Sequence, residues 1–291
     1  MLFDTHCHLD ASEFESDRDQ VVAEAIAAGV GAILVPAVEV ANFAAVKALC
    51  APARFSGSAA AAEVALPGNG APPADSLRSP QRGSLRSQKI AIYAAWGIHP
   101  MYTPHAREPD IAILRRWLSE ERPVALGEIG LDGFVPGLDM ARQEWFLAEQ
   151  LKLARDFDLP VLLHIRRAQD LVLKHLRRSG VRGGIAHAFN GSRQQAEEFI
   201  KLGFKLGFGG AMTFAGSTRI RALAATLPLE HIVLETDAPD IPPAWSTARN
   251  TPAAVARYAT VLAELRRESR ESIVETTTRT ACSLLFAAGR G

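Results

Sequence analysis

The chain has 291 residues, 48% of them hydrophobic, so it can bury either the cores of two small domains or the core of one large α/β barrel. Lys and Arg together number 32, as do Asp and Glu, which excludes a protein that attracts nucleic acid or a membrane through a global basic field. A polyanion must therefore be bound at a local site.

Cysteine usage and hydropathy indicate the compartment. The three cysteines, Cys7, Cys50 and Cys282, are odd in number and far apart, which is typical of a reducing compartment rather than a disulfide framework. No apolar run reaches membrane-spanning length, and the amino terminus lacks a basic region followed by a signal-type core. We expect a cytoplasmic monomer with no membrane partner.

Buried-strand patterns alternate with segments of helical period along the whole chain. After an amino-terminal strand, the predicted strands are Gly31–Val38, Ile90–Ile98, Val124–Ile129, Pro160–Ile165, Gly184–Phe189, Phe204–Ala211 and His231–Thr236. The predicted helices are Asp17–Ala28, Ala41–Cys50, Pro109–Ser119, Asp139–Phe157, Ala168–Ser179, Ser192–Leu202, Ser217–Thr226 and Pro252–Arg267.

This alternation predicts an α/β protein with a parallel sheet, and eight repeats favour a closed (β/α)8 TIM barrel as a single domain over residues 1–291. A last amphipathic segment, Arg270–Ala287, is expected to pack outside the barrel. The alternative is an open doubly wound sheet, which normally has a glycine-rich phosphate turn after its first strand. Here that turn reads His-Cys-His-Leu-Asp.

The stretch 56–89 interrupts the pattern. It is rich in Gly, Pro, Ala and Ser and shows neither helical nor strand period. Because it follows the second helix and precedes the third strand, it belongs to the barrel end opposite the usual active-site face. We interpret it as a flexible surface insertion with solvated basic residues, and a supplementary nucleic-acid contact is the alternative.

The first strand ends in His6-Cys7-His8. With a side-chain period of two, Asp4, His6 and His8 are expected to share one face, and Phe3, Thr5 and Cys7 the other. Two imidazoles aimed at one point suit a transition-metal ion. Asp4 is then expected to face inward below His6, where it either orients an imidazole or is a satisfied core carboxylate.

Residues of metal-ligand type recur at the carboxyl ends of the strands, where barrel enzymes carry their active groups. Six such residues lie at five strand ends: His6, His8, Glu128, His164, His187 and Asp237. Core packing does not explain them, because buried imidazoles and carboxylates are costly unless they are paired or bind metal. Glu235 and Asp132 are placed either to support the site or to fill ordinary structural roles.

The donor types narrow the chemistry. Imidazoles and carboxylates with no inward thiolate suit borderline or hard divalent cations, and two such ions can share one carboxylate, for which Glu128 is the natural bridge. A two-ion site generates hydroxide and polarises a phosphoryl or carbonyl oxygen, which indicates hydrolysis. Asp237 is placed to bind metal and to take a proton from the attacking water, so Asp237 and Glu128 are the predicted catalytic residues.

Several of these motifs together carry a family resemblance: Asp4-Thr5-His6-Cys7-His8, Gly97-Ile98-His99-Pro100, Gly127-Glu128-Ile129-Gly130-Leu131-Asp132, His164 with Arg166, His187, and Thr236-Asp237-Ala238-Pro239. The combination resembles the TatD family of metal-dependent deoxyribonucleases, within the wider amidohydrolase barrels. The likeness runs from Leu2 to Pro252 except for the insertion.

The resemblance implies specific roles. One ion would be held by His6, His8, Glu128 and Asp237, and the other by Glu128, His164 and His187. His99 and Arg166 would face the substrate phosphate. Family members are described as hydrolases of DNA, often 3′–5′ exonucleases on single strands, with magnesium or another divalent ion such as manganese or zinc.

Two stretches depart from the family pattern. The family usually has Cys-Phe-Ser-Gly after the histidine of strand six, and this chain has Ala188-Phe189-Asn190-Gly191. The usual Arg…Asn-Glu-Pro is here Arg249-Asn250-Thr251-Pro252, so one loop contact is expected to change but not the metal site.

The sequence leaves three functions open. The first is a phosphodiesterase acting on DNA, with RNA as a further candidate substrate. The second is an amide or ester hydrolase of the amidohydrolase type, including deacylation of aminoacyl-tRNA. Many cyclic-amidase relatives have a carboxylated lysine where this chain has Glu128, which argues against amides but not against esters. The third is a non-catalytic scaffold. All the expected metal ligands are present in the sequence, which gives this hypothesis no support.

Overall fold

The computed structural model describes residues 1–50 and 90–287. Eight parallel strands pair in chain order: β1 Leu2–Asp4, β2 Val30–Pro36, β3 Ala91–Trp96, β4 Ala125–Asp132, β5 Val161–Arg166, β6 Gly184–Ala186, β7 Phe204–Phe208 and β8 Ile232–Leu234. Backbone hydrogen bonds also join the two ends of this sheet, since Thr5 N donates to Leu234 O at 3.1 Å. The predicted (β/α)8 barrel is therefore confirmed.

Helices follow the strands and surround the barrel: α1 Arg18–Ala27, α2 Phe43–Cys50, α3 Asp110–Glu121, α4 Met140–Asp156, α5 Gln169–Ser179, α6 Arg193–Lys201, α7 Thr218–Thr226, α8 Val255–Arg266 and α9 Arg270–Leu285. Local signals account for several of their ends. Asp139 caps α4 by accepting from the backbone N–H groups of Ala141 and Arg142. Gly180 ends α5 in the left-handed conformation that glycine adopts without strain.

The core has two layers. Leu2, Ile33 and Val35 belong to a large cluster with the apolar faces of the helices. A second, smaller cluster joins side chains from seven strands, which can meet only in the barrel interior: Phe3, Ala32, Leu34, Ala95, Ala125, Leu162, Ile185 and Val233. Inward and outward residues thus alternate along the strands, as barrel closure requires.

Helix α9 closes the amino-terminal end of the barrel. Its Ala281 and Leu285 join the interior cluster, and Phe286 just beyond it packs near Phe3 and Tyr93 with ring centroids 6.4 and 4.8 Å away. The segment predicted to pack outside the barrel therefore also fills its floor. A bottom sealed by apolar side chains leaves the carboxyl ends of the strands as the open face.

The predicted alternation of side chains along the first strand is wrong for Phe3 and Asp4, the residues that precede the His-x-His motif. Strand β1 ends at Asp4 and the chain bends at Thr5, so the period of two does not continue into the His-x-His motif. Phe3 faces the barrel interior instead of the helices. Asp4 accepts hydrogen bonds from the Thr236 backbone N–H and hydroxyl at 2.9 and 2.6 Å, which makes it a satisfied core carboxylate that joins β1 to the end of β8.

The sequence also predicts a surface insertion and no membrane-spanning segment. The predicted insertion 56–89 lies outside the described residues. Within the described part of the chain, no helix combines the length and the apolar character needed to cross a membrane.

Candidate metal centre

Seven of the eight predicted site residues converge at the open face of the barrel. Glu128 on β4 is 1% exposed and stands at the centre. Five imidazoles surround its two carboxylate oxygens at 2.8–3.4 Å, namely those of His6, His8, His99, His164 and His187. The carboxylate of Asp237 lies beside the His6 ring, with Oδ1 3.4 Å from His6 Nε2.

The two oxygens of Glu128 face different sets of donors. Oε2 lies 3.2 Å from His6 Nε2 and 3.4 Å from His8 Nε2, and these two ring nitrogens are 3.2 Å apart. Asp237 Oδ1 completes this group at 3.4 and 3.7 Å from the same nitrogens. The family resemblance implies these four residues for the first ion. The spacing of the donors also places Asp237 in a candidate ligand group with His6 and His187.

On the other side, Oε1 lies 3.1 Å from His164 Nδ1 and 2.8 Å from His187 Nε2. These two nitrogens are 3.4 Å apart. Donor atoms bound at zinc's usual distances stand about 2.9–3.4 Å from one another. The donors of Glu128 with His6 and His8, and of Glu128 with His164 and His187, are close to this spacing, whereas Asp237 Oδ1 is farther from His8 at 3.7 Å. Glu128 therefore has one oxygen directed at each of two candidate ion sites.

Unpartnered buried atoms support a cation at this position. Glu128 Oε2 is buried and forms no hydrogen bond with any described residue. The His6 and His8 ring nitrogens lie 3.2 and 3.4 Å from this oxygen without forming a hydrogen bond to it. A buried carboxylate oxygen in this position is stabilised by a further positive charge. The nitrogen and oxygen donors suit zinc, manganese or magnesium, so the residues fit a divalent metal.

The pKa values within the cluster are strongly coupled. Burial alone would raise the pKa of Glu128, but the imidazoles of His6 and His99 hold it well below its usual range. Burial alone would lower the pKa of His187, and Glu128 and Asp237 instead raise it to about 10. The same carboxylates raise the pKa of His8 to about 9 against its burial. Glu128 is thus anionic and attracts positive charge.

Asp132 orients the His164 ring. Its Oδ2 lies 3.0 Å from His164 Nε2, while its Oδ1 accepts from the N–H groups of Phe134 and Val135 at 2.7 and 2.9 Å. Because Nε2 donates to this carboxylate, the lone pair of a neutral ring lies on Nδ1, which faces Glu128. Asp132 thus both orients an imidazole and stabilises a loop, the two roles that the sequence left open.

His99 has the opposite arrangement. Its Nδ1 accepts from the Met101 N–H at 3.1 Å, and burial lowers the pKa of the ring to about 4. A neutral ring that accepts at Nδ1 carries its proton on Nε2, which lies 3.4 Å from Glu128 Oε1. His99 is close enough to Glu128 and His164 to form a ligand group with them. Its tautomer nevertheless presents an N–H donor rather than a metal-binding lone pair.

Arg166 is the predicted site residue that lies outside the cluster. It ends β5 two residues after His164, and its side chain is exposed. Its guanidinium lies 3.6 Å from the centroid of the Phe134 ring, and that of Arg167 lies 4.6 Å from the same ring. The guanidinium is therefore held at the rim of the open face by stacking, and it forms no ion pair with the residues that the structure describes.

Two buried residues support the end of β8. Glu235 accepts a hydrogen bond from the Ala188 N–H, and burial raises its pKa to about 8. Asn250 donates to the carbonyls of Thr236, Asp240 and Ile241, which fixes the loop that begins after Asp237. In the sequence, the signal for Asn250 is its place in the Arg249-Asn250-Thr251-Pro252 motif, which does not indicate these contacts.

A closed (β/α)8 barrel with paired imidazoles on both sides of a buried carboxylate defines a metal-dependent hydrolase. A family model described as TatD related DNase matches residues 3–286. The chain therefore belongs to the TatD family, as its motifs predicted.

Individual relatives agree with this assignment. The uncharacterized metal-dependent hydrolase YjjV of Escherichia coli K12 is 40% identical over 279 residues, 94% of this chain and 93% of the relative. The crystal structure of YjjV, described as a TatD homolog, has a TM-score of 0.82 at 37% identity and covers 98% of both chains. The 3′-5′ ssDNA/RNA exonuclease TatD of Cronobacter turicensis is 30% identical over 260 residues, 86% of this chain and 85% of the relative.

Asp132→Asn should weaken metal binding about 10- to 100-fold, because an amide orients the His164 ring less firmly and makes its Nδ1 less basic. Competition with a chromophoric chelator for Zn²⁺ or Mn²⁺ measures the change. Asp139→Asn, which alters a cap outside the site, serves as the control and should bind like the unmodified protein. An unchanged affinity in Asp132→Asn would contradict the orienting role.

Metal binding near pH 7.5 should release roughly two protons, because His8 and His187 hold protons in the metal-free site and a cation needs their lone pairs. Metal affinity should therefore weaken as pH falls. Calorimetric titrations in buffers of different ionisation enthalpy count the protons. His175→Gln, outside the cluster, should leave the count unchanged, and binding without proton release would contradict this view of the site.

Proposed function

We propose that this protein hydrolyses phosphodiester bonds of DNA and acts as a 3′–5′ exonuclease on single strands. The observation that carries the proposal is the pair of candidate ion sites on the two oxygens of Glu128, beside which His99 presents an N–H group. Paired divalent ions are a recurrent device for in-line displacement at phosphorus. The name of the Cronobacter relative supports a nucleic-acid substrate, with RNA as a further candidate.

The proposed cofactor is two divalent cations, magnesium, manganese or zinc. His6, His8, Glu128 and Asp237 would hold one ion, and Glu128, His164 and His187 the other. When bound, the ions would supply hydroxide from water at neutral pH and neutralise the developing charge on phosphate oxygens.

The chain's own groups have separate tasks in the proposed reaction. Burial raises the pKa of the Asp237 carboxyl, which makes its carboxylate a better acceptor for the proton of the attacking water. The His99 Nε2–H donates a hydrogen bond to a phosphoryl oxygen, and that bond strengthens as charge develops on the oxygen. Arg166 at the rim attracts and positions the phosphate. Asp237 and Glu128 remain the proposed catalytic residues.

Hydrolysis of an amide or ester, including deacylation of aminoacyl-tRNA, remains the alternative for the same centre. The paired guanidinium groups of Arg166 and Arg167 at the rim favour an anionic substrate over a neutral lactone or amide. The substrates of the two functions separate them experimentally.

Purified protein with Mg²⁺ or Mn²⁺ should release mononucleotides from 3′-labelled single-stranded DNA. Glu128→Gln should reduce the rate by about 10²-fold or more, because it removes the negative charge that both candidate ion sites share and replaces one of the two oxygens by an amide nitrogen, which does not bind metal. Sequencing gels show the length of the labelled products and the rate at which they form, for the unmodified protein and for the variant. Turnover of lactones or acyl esters without any release of nucleotides would refute the proposal in favour of the alternative.

His99→Ala should lower kcat for single-stranded DNA by about 10²-fold, the usual cost of losing one donor to a developing oxyanion, with metal content unchanged. Single-turnover kinetics and metal analysis by mass spectrometry give the two readouts. His105→Ala changes an exposed histidine in the same β3–α3 loop and is the matched control. Loss of one metal per chain in His99→Ala would show instead that His99 is a ligand.

A further inference from the structure

A cavity of about 440 Å³ lies outside the metal centre, between α7, α8 and the loops that follow β7 and β8. Its lining combines polar and aromatic side chains with the aliphatic Val261 and Leu265. The polar and aromatic ones are Thr213, Arg221, Trp245, Arg257, Thr260 and Glu264. Its volume is within the range of about 300–1,000 Å³ that small-molecule sites occupy. None of these residues has a role in the proposed chemistry.

The two arginines of the cavity are available for an anion. Arg221 Nη1 donates to the Met212 carbonyl at 2.9 Å, which orients the side chain and leaves its other N–H groups for further partners. Within residues 1–50 and 90–287, neither Arg221 nor Arg257 forms an ion pair with a carboxylate. Two guanidinium groups outnumber the single carboxylate of the lining, that of Glu264, and can bind a phosphate.

Trp245 and Arg257 form a stacked pair at the edge of the cavity. The guanidinium carbon of Arg257 lies 3.8 Å from the indole centroid, and Trp245 is 37% exposed. The buried Tyr258 ring supports the indole from 5.8 Å. Exposed indole rings and guanidinium planes of this kind are the surfaces on which proteins stack the bases of single strands.

The cavity is connected to the metal centre through one tethered loop. Asp237 begins this loop and Trp245 lies eight residues later. Asn250 fixes the loop from below and accepts a hydrogen bond from Tyr258, while Thr213 Oγ1 accepts from the Ala244 N–H at 2.8 Å. The stacked pair is therefore held in a fixed place beside the end of β8.

We propose that this cavity is a subsite for one nucleotide of the single strand that flanks the bond to be cut. The base stacks on the Trp245–Arg257 pair, Arg221 and Arg257 neutralise its phosphate, and Thr260 and Glu264 meet the polar edge of the base. This inference rests on the proposed function, because it assigns the same centre a polynucleotide substrate. Two arginines and an acid in the lining suit a phosphate and a polar base better than an acyl chain.

Trp245→Ala and Arg257→Gln test the subsite in the metal-loaded, full-length chain. With single-stranded DNA of increasing length, we expect both variants to raise KM about 5-fold or more for long strands, since one stacked base contributes of that order, and to leave kcat and metal content unchanged. Hydrolysis of bis(4-nitrophenyl) phosphate, which is too small to reach the cavity, should not change. Trp245→Phe keeps an aromatic ring and should restore most of the affinity.

Trp145→Ala is the matched control, because Trp145 on α4 is also 37% exposed but lies outside the cavity. It should behave like the unmodified protein. Arg257→Gln should also reduce the slope of log affinity against log salt by about 0.7, the loss of one contact to a single-strand phosphate. Thermal melting verifies that each variant is folded.

Two results would overturn the subsite. In the first, the unmodified protein releases nucleotides and both variants retain its KM at every strand length. In the second, the variants lose bis(4-nitrophenyl) phosphate hydrolysis to the same extent as DNA hydrolysis, which indicates support of the metal centre instead. Failure of the proposed function is distinguishable, because the unmodified protein then releases no nucleotide from any strand while it still hydrolyses esters.

Discussion

A single buried carboxylate, that of Glu128, sets the constraint on which the rest of the site depends. Five imidazoles lie within 3.4 Å of its two oxygens, yet Oε2 has no hydrogen-bond donor among the described residues. A closed barrel brings the ends of all its strands to one face and buries the point where they meet, so the negative charge of Glu128 requires positive charge close to it. In the metal-free site the protonated rings of His8 and His187 supply that charge. A divalent cation bound beside this carboxylate would take over that role, and this requirement links the fold to a metal-dependent hydrolase.

The backbone around Glu128 is shaped to permit this crowding. At Gly130, whose φ is +153°, a Cβ would come within 1.8 Å of the His164 carbonyl oxygen, so the close approach of β4 to β5 requires glycine. The partners of the imidazoles then divide their tasks. Asp132 leaves the His164 lone pair directed at Glu128, whereas the Met101 N–H leaves a proton on His99 at the same oxygen. One neighbour for each ring is enough to separate a candidate ligand from a candidate hydrogen-bond donor.

Most of the architecture and the donor set could be predicted from the sequence, because hydrophobic periodicity identifies strands and helices and parallel strands carry active groups at one end. The prediction was wrong at the first strand. The chain bends at Thr5, so the side chains do not alternate regularly from Phe3 to His8, and Phe3 and Asp4 were assigned to the wrong faces. The histidine tautomers and the hydrogen bonds that fix the loops could not be predicted either. Asn250, for example, acts through contacts with the Asp240 and Ile241 carbonyls and the Tyr258 hydroxyl, and no sequence spacing indicates them. The cavity at Trp245 arises from the packing of α7 and α8 and has no motif.

We propose that each of the two carboxylate oxygens of Glu128 binds its own cation. Anomalous diffraction from a crystal grown with Mn²⁺ tests it most directly. We expect two peaks about 3.5–4 Å apart, one among His6, His8 and Asp237 and the other beside His164 and His187, with Glu128 between them. A single peak, or peaks remote from Glu128, would contradict the account.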